Sequence, residues 1–281
     1  MAITSEDNYW ASARRRFRLV KNATRTTVDG MPFTTFDLAG APGTGVLAGT
    51  NTANGGVLQT GSMAGYPNIA FSSGQGYLTR VEFGSTVASR LNLFDVIVKM
   101  GAISYAAATT TPTVDSQPNI SARCPDYPGS GSAFGAGNEL WIEVSTAFST
   151  GNNWTVSITY RNQDGTSGRV ATLSAVKAAA DLTQGRWHQL TLQGTDSGVQ
   201  RIEAVTVTNG STAMTAGAFN ILIARPLITN MRVRTAIDGG ILDYLSTGAS
   251  PVYSDSAIVH IIQADSTSAG YPEIMFEVAN G

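Results

Sequence analysis

Between Leu140 and Arg234 the chain alternates apolar and polar residues in short runs, and this pattern restricts the fold more than any other feature. The runs are 140–144, 154–160, 169–173, 187–192, 201–207 and 219–224. A period of two places apolar side chains on one face of a strand and polar side chains on the other. Repeated at short spacing with Gly, Asn and Asp between, it predicts an all-β fold, an antiparallel, jelly-roll-like β-sandwich.

The composition restricts the function. Only 14% of the 281 residues are charged and the formal net charge is -2, which argues against general nucleic-acid binding because that requires a cationic surface. The longest apolar run, 219–224, is too short to span a membrane. The single cysteine, Cys124, excludes an internal disulfide framework and fits assembly in a reducing cytoplasm. The acidic, polar N-terminus does not resemble a signal peptide.

The N-terminal segment differs from the rest of the chain. Ser5 before Glu6 and Asp7 is a plausible helix start, and the aromatic residues that follow have roughly helical spacing up to Phe17. The segment holds six of the 18 basic residues, which are Arg14, Arg15, Arg16, Arg18, Lys21 and Arg25. This run indicates either the solvated face of a terminal helix or an arm that docks on an acidic partner. Nucleic acid is the least supported partner, because one short basic block stands in a net-acidic chain. The candidate partner-binding residues are Tyr9, Trp10, Arg14, Arg15, Arg16, Phe17 and Arg18.

We predict three regions along the chain. Residues 1–76 form an extended arm with a short helix and a Gly/Thr-rich segment, which holds at most short strands at Val46–Leu47 and Ile69–Phe71. Residues 77–235 form the sandwich core, and residues 236–281 add strands that pack on the core or the arm. Within the core, residues 105–138 form a long polar connection of the kind that often carries a function or an interface.

Few residues are candidates for catalysis or for metal binding. His188 and His260 lie in separate strand patterns without a second ligand or carboxylate nearby, which favours structural roles. No nucleophile, metal or phosphate-binding motif occurs, and Cys124 has no flanking base to activate it. The turn 162–165 has oxygen ligands but lacks the full calcium-loop spacing, so we predict that it closes a hairpin. We therefore expect no enzyme activity, no metal and no cofactor.

Two features leave carbohydrate chemistry open. Glu139 and Glu143 share one strand face with Trp141, an arrangement found in glycosidase clefts but also common in amphipathic strands. Trp187 begins the first of two strands that a polar loop separates, an order similar to that in carbohydrate-binding modules. In such a module its ring could stack on a sugar. A core position for Trp187 is the favoured alternative, because buried aromatic residues are more common than sugar platforms.

Several strings of the sequence resemble a family of tailed-bacteriophage virion proteins. They are ELWIEVSTAF at 139–148, YRNQDGTSGR at 160–169, GVQRIE at 198–203, ARPL at 224–227, DSTSAG at 265–270, Glu273 and VANG at 278–281. The resemblance covers roughly residues 90–281 and leaves the basic N-terminal segment outside. It implies a component of the virus particle, because members of the family are described as capsid decoration proteins or as tail-associated proteins. It implies no catalytic residues.

Together these observations predict a capsid decoration (cement) protein, assembled in the host cytoplasm and located in the virion. The expected partners are the major capsid protein and neighbouring copies, with a homotrimer as the expected oligomer and no membrane or nucleic-acid partner. The alternative is a tail or fibre component that binds a host glycan through Trp187 or the 105–138 connection.

Overall fold

The computed structural model describes residues 5–50, 52–71, 75–113, 116–210, 212–234 and 239–280. Almost all regular structure in these ranges is antiparallel β, which confirms the predicted fold class. One α-helix, α1, spans Glu6–Ala11, and short 3-10 helices lie at Thr52–Asn54, Ser121–Arg123 and Ala179–Asp181. The strands before residue 138 are β1 Ala13–Lys21, β2 Pro32–Thr34, β3 Gly40–Ala41, β4 Val57–Leu58, β5 Gln75–Gly84, β6 Ser89–Ser104 and β7 Ala108–Thr110. The later strands are β8 Glu139–Ser149, β9 Thr155–Asn162, β10 Arg169–Leu173, β11 Trp187–Thr191, β12 Val199–Thr208, β13 Ala216–Val233, β14 Gly239–Leu242, β15 Pro251–Tyr253, β16 Ile258–Ala264 and β17 Glu273–Asn280.

The chain divides into two compact units, and neither is continuous in sequence. Unit 1 comprises residues 1–46, 60–95 and 226–281, and unit 2 comprises residues 47–59 and 96–225. These limits differ from the predicted boundaries at residues 76 and 235. The division falls within the long strands β6 and β13, so that each contributes residues to both units. A pattern of alternating residues does not reveal such a change of unit within one strand.

Unit 1 has a core between two layers of strands. Among the described residues, one layer has the strand order β14-β5-β17-β1-β3, with β15 also paired to β5. The opposite layer includes β16, which pairs with β2 and with the first half of β6. The core residues include Leu19, Val81, Phe83, Ile274 and Phe276 from the first layer, and Leu91, Leu93, Ile258 and Ile262 from the second. The side chains that point away from this core form the outer face of the first layer.

Unit 2 is built from the part of the chain whose alternation was clearest. Its strand order runs from the second half of β6 through β13, β8, β11, β10, β9 and β12 to β7. Its core residues include Ile142, Val144, Trp154, Ile158, Tyr160, Ile202, Val205 and Ile221. The predicted hairpin at 162–165 is confirmed, because β9 and β10 pair in antiparallel register around it. Gly165 has a φ of +82°, a conformation that glycine adopts without strain.

The predicted short strands at Val46–Leu47 and Ile69–Phe71 are wrong, since neither segment is a strand. Between β2 and β5 the described residues form two strands, β3 and β4, whose two-residue lengths give no alternation to detect. The 105–138 connection is more ordered than predicted. It contains β7, and the Asp126 carboxylate accepts hydrogen bonds from the backbone N–H groups of Gly135 at 3.0 Å and Ala136 at 2.9 Å.

Candidate interaction surface

Helix α1 and strand β1 replace the single N-terminal helix that the spacing predicts. The Ser5 side chain accepts a hydrogen bond from the Asn8 backbone N–H at 3.2 Å and caps the helix. The helix ends at Ala11, and Ala13 begins a strand that pairs with β17 along its length. The predicted continuation of the helix to Phe17 is therefore wrong. Pairing with a strand at the other end of the chain overrides the helical spacing of these residues.

The four predicted arginines lie on both faces of β1. Alternation places Arg14, Arg16 and Arg18 on the outer face, while Phe17 points inward and stacks on Phe276 at 5.3 Å. Arg15 shares the inward side and donates a hydrogen bond to the Ala70 carbonyl. All four arginines are exposed.

Strand β17 supplies carboxylates opposite these arginines. Arg16 Nε lies 3.2 Å from a carboxylate oxygen of Glu277, and Arg18 forms an ion pair with Glu273. Because the outer face carries both signs of charge, it is not the bare cationic patch that the sequence of β1 alone indicates. The Arg18–Glu273 pair is exposed on both sides and contributes little to stability. In the Arg16–Glu277 pair the arginine is exposed but the carboxylate is buried.

The aromatic residues of α1 lie over this charged face. The Tyr9 ring stacks on Tyr244 with centroids 5.1 Å apart, and the Tyr9 hydroxyl lies 3.5 Å from Glu277. Trp10 is 59% exposed. The Arg14 guanidinium lies 5.4 Å from the Tyr9 ring centroid and 5.3 Å from the Trp10 ring centroid, within cation–π range. This α1–β1 surface therefore presents an exposed aromatic–guanidinium pair, and aromatic and arginine residues dominate the energetics of protein interfaces.

Sequence reasoning missed the residues that complete this surface. Tyr244, Glu273 and Glu277 come from the last 40 residues of the chain. The two glutamates reach β1 through the β1–β17 pairing, and Tyr244, which follows β14, contacts α1 by stacking on Tyr9. Residues 236–281 were predicted to add strands that pack on the core or the arm, but no local pattern indicated that one of them pairs with β1.

The two glutamates that left a glycosidase cleft open, Glu139 and Glu143, have hydrogen-bond or ion-pair partners inside unit 2. Trp141 Nε1 donates to Glu139 at 2.8 Å, and burial raises the pKa of Glu139 above its usual value. Glu143 is 1% exposed, and its carboxylate lies 2.8 Å from the Lys99 Nζ. Trp187 is also 1% exposed, and its indole Nε1 donates to Glu143 at 3.1 Å. This burial argues against Trp187 as a sugar platform, because neither ring face is open to a ligand.

The Glu143 carboxylate belongs to a buried network that fastens one segment of unit 2. The Asn220 side-chain amide donates to Glu143 at 2.8 Å and to the Leu47 carbonyl at 2.6 Å. Its oxygen accepts a hydrogen bond from the Gly49 backbone N–H at 2.8 Å. The network therefore joins β6, β8, β11 and β13 to the segment that begins at Leu47, which is a structural use of these polar groups.

The histidines and the cysteine are buried. Burial lowers the pKa of His188 to about 4 and that of His260 to about 3, with nearby Lys21 contributing for His260. His188 Nε2 bonds the Asp181 carbonyl at 2.9 Å, and Thr35 Oγ1 lies 2.5 Å from His260 Nε2. Burial raises the pKa of Cys124 to about 11, so its thiol is protonated at neutral pH.

Because the pKa values of His188 and His260 are lowered, we expect the protein to lose stability in mild acid. Their pKa values in the folded chain lie below the ordinary value of 6.5, so between pH 6.5 and about 4 the unfolded chain binds protons that the folded chain excludes. Lowering the pH from 7 to 5 is expected to cost up to about 2 kcal/mol of unfolding free energy for each histidine. Urea unfolding at both pH values checks this, and His188→Gln should reduce the pH dependence by about half. An unchanged pH dependence in that variant would contradict the assignment.

The described residues contain neither a candidate metal site nor a helix that could span a membrane. No group of three or more His, Cys, Asp or Glu side chains there is placed to hold a metal ion. No helix within the described ranges is long and apolar enough to cross a membrane.

Comparison with known proteins assigns no family. No protein-family model matches the chain, and no curated protein matches it. Among solved structures, the VP2 subviral particle of infectious bursal disease virus matches with a TM-score of 0.23 and 11% identity over 95% of this chain and 80% of that chain. The Gt strain of the same virus matches with a TM-score of 0.20 and 11% identity over 95% and 81%. At these TM-scores the likeness carries no argument, and the resemblance to tailed-phage virion proteins stays a prediction.

Proposed function

We propose that this protein is a structural component of a virus particle, and specifically a decoration protein that binds the outer surface of a tailed-phage capsid. The observation that carries the proposal is the α1–β1 surface, where Trp10 of α1 and Arg14 of β1 are both exposed and the Arg14 guanidinium lies 5.3 Å from the Trp10 ring centroid. Tryptophan and arginine are enriched among the residues that carry most of the binding energy of protein interfaces, which favours this pair as an anchor.

The use of the buried polar groups supports a binding rather than a catalytic role. Glu143, His188 and His260 each bond to neighbouring side chains or backbone within their own unit. Groups held in this way fasten segments together and are not presented to a substrate.

The charge balance of the outer face suits attachment to a repeating lattice. Arg16 and Arg18 face Glu277 and Glu273, so docking does not require a strongly acidic partner. Contacts that are individually modest accumulate when many copies bind neighbouring sites of one shell.

Capsid binding tests the proposal. Purified protein is added to capsids that lack it, and the bound fraction is measured by co-sedimentation over a range of concentrations. The wild-type chain is expected to bind saturably, and a Trp10→Ala, Arg14→Ala double variant to bind at least about tenfold more weakly, as loss of an interface anchor predicts.

Val176→Ala is the matched control, because Val176 is 55% exposed and lies in the other unit. It should bind like the wild type. Failure of the wild-type chain to bind, or full binding by the double variant, would contradict the proposal.

A further inference from the structure

An amine, a carboxylate and a carboxamide meet in the interior of unit 2. Lys99 lies on β6, Glu143 on β8 and Asn220 on β13, and all three residues are at most 4% exposed. The Lys99 Nζ lies 2.8 Å from Glu143 Oε2, and the Asn220 Nδ2 donates to the same oxygen at 2.8 Å. The two nitrogens therefore lie no further apart than twice that distance, with the carboxylate oxygen in contact with both.

Neighbouring groups hold the amine and the carboxamide in this arrangement. The Leu47 carbonyl oxygen accepts hydrogen bonds from both nitrogens, at 3.4 Å from Lys99 Nζ and at 2.6 Å from Asn220 Nδ2. The other carboxylate oxygen of Glu143 accepts a hydrogen bond from Trp187 Nε1 at 3.1 Å, which leaves Oε2 directed at the two nitrogens. Two groups fixed side by side can react without the entropy cost of an encounter.

The contacts of the cluster match the requirements of amide transfer. The Asn220 Oδ1 accepts a hydrogen bond from the Gly49 backbone N–H at 2.8 Å, and this donor stabilises the negative charge that develops on the oxygen when a nucleophile adds to Cγ. Glu143 Oε2 is within hydrogen-bond distance of both nitrogens, so it can take a proton from one and deliver it to the other. Lys99 supplies the nucleophile.

We propose that Lys99 and Asn220 form an isopeptide bond within the folded chain, with Glu143 as the proton carrier. The Lys99 ammonium gives one proton to Glu143 Oε2, and the neutral Nζ adds to Asn220 Cγ. The Nζ–Cγ bond forms and the Cγ–Nδ2 bond breaks, while the leaving nitrogen takes one proton from Nζ and one from Glu143. An ammonium group and a primary amide become a secondary amide and a free ammonium ion, without oxidation or reduction.

The bond joins the neighbouring strands β6 and β13 and replaces the Lys99–Glu143 ion pair. A covalent link between residues so distant in sequence restricts the unfolded chain, as a disulfide does. A Glu143 variant has neither the ion pair nor the bond. Because the reaction takes place within one copy of the chain, its test needs no capsid, and it stands or fails separately from the proposed function.

The mass of the denatured wild-type chain tests the bond directly. After prolonged incubation in the folded state, the chain is expected to weigh one ammonia less than its amino-acid sequence requires. Trypsin should then leave the chain uncut at Lys99 and release the Lys99 peptide joined to the peptide that contains Asn220. A wild-type chain of full mass, or a loss of ammonia without this linked peptide, would overturn the proposal.

Variants identify the role of each group. Lys99→Met removes the nucleophile and should keep the full mass, whereas Glu143→Gln should form the bond at least about a hundredfold more slowly because it lacks the proton carrier. Lys177→Met is the matched control and should lose ammonia as the wild type does. Circular dichroism confirms that each variant is folded, and the wild-type measurement decides the proposal even where a substitution prevents folding. A loss of ammonia that persists in Lys99→Met, or wild-type reaction in Glu143→Gln, would also overturn it.

Discussion

Replacing Glu143 with alanine is expected to lower the free energy of unfolding by about 3–5 kcal/mol, the cost of leaving a buried ion without its partner. Glu143 and Lys99 are 1% and 4% exposed, and their charged groups lie 2.8 Å apart. Without the carboxylate, the Lys99 ammonium keeps the Leu47 carbonyl at 3.4 Å but loses its counter-ion. Trp187 and Asn220 each lose an acceptor as well.

A double variant separates the lost charge from the lost volume. Lys99→Met combined with Glu143→Met removes both charges and keeps apolar bulk in the site. Because replacing both members of a buried ion pair costs far less than removing one, the double variant should be more stable than Glu143→Ala. Urea unfolding provides the measurement, and a change below about 1 kcal/mol for Glu143→Ala would contradict the role assigned to the network.

Lys21→Met is the second substitution with a large expected effect. Lys21 is 2% exposed, and its Nζ donates to the carbonyl oxygens of Phe36 at 3.1 Å, Leu38 at 3.0 Å, Pro42 at 3.1 Å and Gly43 at 3.2 Å. Burial lowers the pKa of Lys21 to about 8, so the ammonium form still predominates at pH 7. Methionine fills the space but offers no donor, and we expect a loss of about 2–4 kcal/mol as several carbonyls become unsatisfied.

The position of the damage identifies the mechanism of the Lys21 effect. Residues 36–43 should exchange their amide hydrogens faster in Lys21→Met, whereas the strands of unit 2 should not change beyond the global loss of stability. Lys177→Met is the matched control, because Lys177 is only partly buried, and its effect should stay within about 0.5 kcal/mol. Equal effects of the two substitutions would exclude the carbonyl cluster as a stabilising feature.

The sequence predicted the strands of unit 2 well because their signal is local. Residues 169–173 were predicted as a strand with the observed bounds, and the other runs from residue 140 onward lie in or overlap observed strands. Strands β9 and β10 bury alternate side chains in a core, whereas β8 and β13 are buried at consecutive positions over the predicted runs. Alternation reports the burial of β9 and β10 directly.

The N-terminal region was predicted less well because its structure depends on distant partners. Strand β1 pairs with β17, so that Arg16 lies opposite Glu277, 261 residues away. No local pattern indicates that pairing, and the spacing of the aromatic residues favoured a longer helix. For the same reason the sequence identified the arginines of the surface but not their acidic partners.

The partners of the buried polar groups were also not predictable from the local sequence. The sequence pointed to Glu143 only as one of two carboxylates on one strand. Its partners in the structure, Lys99 and Asn220, come from other strands. The network also depends on Gly101, which the sequence alone does not connect with Asn220. A Cβ atom there would lie 2.0 Å from Asn220 Oδ1, so the network requires glycine at this position.

The copy number and location of the protein in purified virus particles test the central claim most directly. Quantitative mass spectrometry against the major capsid protein, combined with cryo-electron microscopy of the same particles, gives both quantities. A decoration protein is expected in a fixed ratio to the capsid protein and as density on the outer surface throughout the shell. Its absence from the particles, or its confinement to a tail or to one vertex, would contradict the account.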